Sequence, residues 1–551
     1  MATTTLALTS CASLPFSGNA NHYADSRSSG LAAEGEITPA GPADGASPEE
    51  IIRGFLRAGI GANDDYLVAR QYLTAQKAQS WRPDTQALVY ADSLLIQQGQ
   101  EQSKYKVEVP VGTQVNSLGL ATSFARTNSM DLEFTLEEVN GQWRISELPD
   151  GVVLEQSEFE QSFSAFSLYF YDQTFTYAVP DIRWFADRAS VATSLVRVLI
   201  AGPAPYLQGA VRSAIPDNSS LTRNSVPIEN NNAQVSLSGT GISNDMSQLD
   251  IERIHTQLKQ TLTRISGIEN ISLELGQQQA KVGQLENYIE PQLDPVVAKN
   301  VVGIDGNELT VRSELLNDES KNFVFSSTHG SMTNLAMSYN RQSFAFLDPQ
   351  RSQLTVVRGG QSRLAFEGQG LTSPSYDQFQ WLWSATEEGK IRAVSVANSS
   401  SIQPIDISAS WLEGAKVLSL KVARDGARVA IVAESDGNSY LWVSGVNRNS
   451  ENRPQSLTQP VRVGASISAQ FAAWVSDQGL IAANFDTGES ELAQLSGELT
   501  SLGYLDSLEQ LSSCIGADQV VAQTAQQNIY LLVDRGWSRV ETTAHDFSFS
   551  G

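Results

Sequence analysis

The chain is poor in the residues that most catalytic and metal-binding proteins use. It has two cysteines in 551 residues, Cys11 and Cys514. They lie too far apart in sequence to make a disulfide framework. The four histidines, His22, His255, His329 and His545, are scattered. None has a His or Cys partner at metal-ligand spacing, so no metal and no cofactor is expected. Basic residues are also scarce: 37 Lys and Arg stand against 61 Asp and Glu, a formal net charge of −24. Such a surface repels phosphate backbones, and no basic cluster reverses this locally, so nucleic acid is excluded as a partner. No apolar run approaches the ~18–20 residues of a spanning helix. Neither a G-x-S-x-G elbow nor a Walker A sequence occurs. The G-x-G runs at Gly239–Ser243 and Glu367–Ser373 lack the third glycine and read as turns. Carboxylates are so abundant that no glycosidase pair stands out. These absences predict a protein that is not an enzyme.

What is present starts at the N-terminus. Leu8-Thr9-Ser10-Cys11 fits the bacterial lipobox: an aliphatic residue, two small residues, then cysteine. The stretch before it holds no Lys or Arg and only a stub of apolar character, less than a secretory signal requires. One reading covers both facts: residues 1–10 are the end of a signal segment whose start lies upstream. Residues 11–46 are rich in Ser, Ala, Gly, Asn and Pro without apolar periodicity. They cannot bury enough surface to offset ordering entropy, and read as a tether. Cys514 has apolar neighbours and reads as a small buried hydrophobe. His255 follows Ile254 on an amphipathic helix and reads as a polar-face residue.

Residues 47–155 read as an α+β domain. Ser47, Pro48 and Glu50 make a cap, a first-turn proline and a capping box. Ile51, Ile52, Phe55 and Leu56 form the apolar face behind them. Leu132, Phe134 and Leu136 alternate up to Asn140-Gly141, a two-residue hairpin turn, and Trp143 and Ile145 resume the alternation. Residues 156–277 read as a second α+β unit. Phe166, Leu168 and Phe170 share one strand face, with Tyr169 and Tyr171 on the other. A helix through Val191, Leu195, Val198 and Leu199 stops at Gly202-Pro203. Ile251, Ile254, Leu258, Leu262 and Ile265 line a second helix. Residues 278–295, Gln-rich and polar, read as a connector.

Beyond residue 296 helical periodicity disappears. A short strand, a polar turn and an apolar strand recur, with turn centres near 340, 388, 425, 477 and 518. The mean spacing of about 45 residues is the length of a propeller blade, so 296–551 is expected to hold five or six blades of a β-propeller. Tyr376, Phe379, Trp381 and Trp383 read either as inter-blade core or as a rim patch for protein binding. The alternative to a binding protein is a cell-envelope hydrolase with its site in the propeller channel, which calls for carboxylates with perturbed pKa at one mouth.

Four stretches together resemble the LpqB-type lipoproteins of actinobacteria: "LTSCASLPFSG"; "PADGASPEEIIRGFLRAGIGANDDYLVARQYLT"; "YFYDQTFTYAVPDIRWF" with "TSLVRVLIAGPAPYLQGAVRSAIP"; and the β-rich C-terminal half. The resemblance implies a lipid anchor, an N-terminal domain, a GerMN domain and a propeller-like domain. It implies that Cys11 becomes N-palmitoyl, S-diacylglycerol cysteine after cleavage at Ser10–Cys11. It places the protein on the outer face of the cytoplasmic membrane, in the actinobacterial cell envelope. The expected partner is the extracytoplasmic domain of a sensor histidine kinase of the MtrB kind, within an MtrAB-type two-component system. No kinase-binding residues can be carried over. The expected role is regulatory and non-catalytic.

Overall fold

The computed structural model describes residues 39–62, 64–243, 246–295, 297–315, 321–327, 331–397, 402–435, 437–464, 468–513 and 520–551. Cys11, Cys514, His22 and His329, on which expectations were placed, lie outside the described residues.

The first helix, Pro48–Arg57, begins where its cap chemistry puts it. Glu50 N donates to Ser47 Oγ, and Ser47 N donates back to the Glu50 carboxylate at 2.8 Å. Ile51, Ile52, Phe55 and Leu56 are buried. Phe55 meets the edges of Trp81 and Phe134 at 5.2 and 6.3 Å between ring centroids. These rings cover one face of a sheet whose strands run in the order Gln142–Glu147, Ala121–Val139, Lys104–Asn116, Gln86–Tyr90 and Val152–Glu155. Val107, Val109 and Val111 alternate into that face, the period-2 pattern of a strand with one side buried. Asn140 and Gly141 both have positive φ, 54° and 75°, as a type I′ turn requires.

The second unit pairs Phe163–Tyr171 with Ala178–Ala186 as an antiparallel ribbon. Asn232–Gly239 and Asn270–Leu275 lie parallel, joined through the helix Gln248–Leu262. The helix buries Ile254, Leu258 and Leu262. It also buries Gln257 and Gln260, which a helical-face reading assigns to water. Gln257 Nε2 donates to Tyr169 O, and Gln260 Nε2 to Pro291 O, both at 2.8 Å. Residues 278–295 are therefore no loose connector. Ala178 N donates to Gln292 O, and Gln292 N to Thr176 O.

Six antiparallel sheets follow. Five are consecutive runs: Thr333–Met337 to Gln361–Glu367, Ser375–Tyr376 to Pro404–Ile407, Lys416–Val422 to Pro454–Leu457, Phe471–Trp474 to Leu499–Tyr504, and Leu508–Ser513 to Gly536–Val540. The remaining sheet combines Val301–Asp305, Glu308–Arg312 and Asn322–Ser326 with the last strand of the chain, His545–Phe549. Val301 pairs with Phe549 and Ile304 with His545. This ring closure leaves no open edge between first and last blades. Among the described residues the propeller has six blades.

One expected turn belongs elsewhere. The residues around 388 join the second and third strands of their blade, Trp381–Ala385 and Ile391–Ser395. The turn equivalent to those near 340 and 425 is Asp377–Gln380, after the two-residue inner strand Ser375–Tyr376. That strand is too short to show alternation, so the next hairpin was taken in its place.

Candidate binding site

The innermost strand of each blade, His545–Phe549 in the closing one, lines a central channel, and its two ends differ. One end opens into a cavity of ≈ 1040 Å³. Its wall combines amides and hydroxyls with charged residues, Arg351, Lys416, Glu434, Asp486 and Glu509 among the latter. Phe471 and Phe485 stack at 5.9 Å along one side.

A paired His545 and Asp546 hold this mouth in shape. Asp546 has φ 52°, a left-handed conformation that Asp tolerates better than most residues. Its Oδ2 lies 2.8 Å from His545 Nδ1, and its Oδ1 accepts from Thr333 Oγ1 and Asn334 N, both at 3.1 Å. Asp546 N donates to Gln523 Oε1 at 2.6 Å. One residue thus ties three blades together around the rim. Asn334, with φ 51°, extends the tie to Ser373 Oγ at 3.0 Å. Sequence reasoning counted His545 only as an isolated histidine. The His-Asp dipeptide was the available signal, but its meaning depends on strands more than 200 residues away. Among the described residues no group of three or more His, Cys, Asp or Glu could hold a metal ion.

The opposite end is covered by the second α+β unit. One hydrophobic core runs from Leu195, Leu199, Ile254 and Leu258 into Ala427, Val432, Leu441 and Trp474 of the propeller. Gly445 permits the approach: a Cβ there would lie 2.6 Å from both Ala210 Cβ and Tyr206 O. Polar links border the core. Ser167 Oγ donates to Gln478 Oε1 at 3.0 Å, and Asp477 N to Asp294 Oδ1 at 2.8 Å.

This covered end holds buried ion pairs. Arg428 donates twice to Asp425 Oδ2, at 2.9 and 2.6 Å, and its guanidinium lies 4.8 Å from the Trp474 ring. Arg448 Nη2 donates to Asp377 Oδ2 at 2.7 Å, and Trp383 Nε1 donates to the same oxygen at 3.0 Å. Burial pushes the Asp477 carboxyl up to about 6, and the nearby Asp294 charge adds to the shift. The dense aromatic segment is spent here. Tyr376 and Trp383 are fully buried, and Phe379 lies 4.7 Å under the Arg448 guanidinium. These rings are core rather than a rim patch.

Three family models match the chain in order. "Lipoprotein LpqB, N-terminal domain" matches residues 41–160, "Sporulation and spore germination" (the Germane module) residues 167–281, and "Lipoprotein LpqB beta-propeller domain" residues 322–547. The chain belongs to the LpqB lipoprotein family. Lipoprotein LpqB of Bifidobacterium longum is 28% identical over 442 residues, covering 76% of this chain and 73% of that protein. Lipoprotein LpqB of Nocardia farcinica is 28% identical over 525 residues, covering 87% and 83%. The Streptomyces coelicolor protein is 26% identical, covering 74% and 72%. Among solved structures, TolB from Acinetobacter baumannii aligns at 13% identity and TM-score 0.34, over 47% of this chain and 68% of that one. The propeller in this LpqB-family chain rests on its own six sheets. No helix among the described residues is long and apolar enough to cross a membrane.

Proposed function

We propose that this chain is a lipid-anchored, extracytoplasmic regulatory protein that binds a partner through the open mouth of its propeller and catalyses no reaction. The carrying observation is the asymmetry of the channel. The Germane unit and the propeller share one core at one end, while a polar cavity of ≈ 1040 Å³ faces outward at the other. A rigid concave face suits capture of a partner. Cys11 supplies the anchor in this reading. Acyl chains would hold an acidic chain beside an anionic membrane, and more than one is needed for stable attachment.

The partner is the extracytoplasmic region of an MtrB-type sensor kinase. The test places photo-crosslinking residues at Asn307 and Gln527, on the mouth, and at Glu229, on the Germane sheet, in membrane-bound protein. Crosslinks to the kinase from the mouth positions alone are expected. Equal capture from Glu229, or none from any position, would overturn this reading. The anchor is tested separately by Cys11→Ala, which should move the protein from the membrane fraction to the soluble one.

A further inference from the structure

We propose that the narrow part of the channel is an anion site, receiving one small oxyanion group, phosphate or carboxylate, between Lys421 and Arg424. It does not depend on the kinase reading.

Below the mouth the channel narrows to a chamber of ≈ 50 Å³ lined by residues from all six innermost strands. At about 10–15 Å³ of such space per water, it holds a few waters or one tetrahedral oxyanion. Lys421 and Arg424 are the only charged side chains among its described lining residues, which also include Gly551, the last residue of the sequence. That is notable in a chain with 61 acidic residues. Neither cation has an ion-pair partner among the described residues. Lys421 Nζ donates to Pro374 O at 2.7 Å, a neutral acceptor, and Arg424 Nη2 reaches Trp474 O at 3.5 Å. Burial pulls the Lys421 ammonium down to about 8.

Two hydroxyls on the chamber wall accept backbone donors: Ser375 Oγ accepts from Val422 N, and Ser512 Oγ from Phe549 N, both at 3.0 Å. A hydroxyl that accepts one bond can still donate its own hydrogen to another group. Ser550 is 6% exposed, and its Oγ has no hydrogen-bond partner among the described residues. A buried hydroxyl without a partner costs stability unless something fills the space beside it. Two desolvated cations, available hydroxyls and an orphaned oxygen all call for an anion. Access runs through the mouth, because Ser373, Phe471 and Gln510 line both cavities. Trp474 also lines the chamber. Its Nε1 donates to Lys421 O at 3.0 Å and its ring touches the Arg428 guanidinium, so its fluorescence should report occupancy.

The experiment titrates the full chain with inorganic phosphate, acetate and glycerol 3-phosphate in turn, read by calorimetry and tryptophan fluorescence. Saturable binding of at least one is expected. Lys421→Met should weaken it about tenfold or more, the scale of one charge-assisted hydrogen bond. Ser550→Ala should weaken it a few-fold. Lys106→Met, exposed on the N-terminal sheet, should leave it unchanged. Lys421→Met removes a desolvated charge while keeping the apolar stem, so the fold is retained; Ser550→Ala provides a second, gentler probe. Tighter binding of glycerol 3-phosphate than of phosphate assigns the anion to the tip of a longer ligand in the mouth. Equal binding assigns it to a free ion. No saturation by any of the three at millimolar concentration, or equal affinity in Lys421→Met, would overturn the proposal.

Discussion

The two ends of the channel are built from the same six strands, and they use charge in opposite ways. At the covered end, charges are paired and dry: Arg428 with Asp425, Arg448 with Asp377. At the open mouth most are exposed, and the Lys416–Glu387 pair beside it is half exposed on both sides. Buried pairs must be matched by geometry, because a lone buried charge is far more costly than a lone exposed one. The covered end therefore specifies how the Germane unit docks, while the mouth can change its contacts without endangering the fold.

The largest effect should come from breaking a dry pair. Arg428→Ala leaves Asp425 buried without its cation and should destabilise the chain by about 3–5 kcal/mol, read by denaturant unfolding. The double variant Arg428→Met with Asp425→Leu should recover much of that loss. If the single variant is as stable as the parent, the covered end does not depend on its ion pairs.

Overpacking the shared core comes next. Gly445→Ala puts a Cβ against Ala210 Cβ and Tyr206 O at 2.6 Å. It should cost about 1–3 kcal/mol and split thermal unfolding of the Germane unit from that of the propeller. A single unshifted transition would mean that the two units separate without resistance.

Asp477 sharpens the comparison through pH. Its folded pKa, about 6, lies above the ordinary carboxylate value of 3.8. The native state therefore holds this proton more tightly than the unfolded chain does. Stability is fully present below the unfolded value and falls as pH rises toward 6. Asp477→Asn should be more stable than the parent at neutral pH by about 1–3 kcal/mol, with the gap closing near pH 4. A pH-independent gap would place the effect elsewhere.

The smallest effect belongs at the mouth. Lys416→Met should leave the melting temperature unchanged within error, since exposed ion pairs are screened. A large loss would show that the mouth, too, is built for stability.

Much of the fold class could be read from local pattern. The capping box at Ser47, the Asn140-Gly141 turn and the alternation of Leu168 and Phe170 against Tyr169 and Tyr171 each lie within a few residues, and each appears in the structure. What failed was pattern that depends on distant neighbours. Gln257 and Gln260 look like a solvated helix face, yet the ribbon and the 278–295 segment supply their acceptors. The residues near 388 look like a first blade turn because Ser375–Tyr376 is too short to announce itself. His545 looks isolated until Asp546 meets Thr333, Asn334 and Gln523.

By itself the sequence determined the order of unlike modules, two α+β units and then repeated β-hairpins, because helix and strand periods are local properties of the chain. It also carried the family resemblance that the comparisons establish. Tertiary structure alone decided that six blades close through the last strand, that one end of the channel is covered and that the other is open. It also decided that Lys421, Arg424 and Ser550 share a chamber. A propeller channel draws one strand from each blade, so its walls are assembled from residues some forty positions apart, whose convergence no local period records.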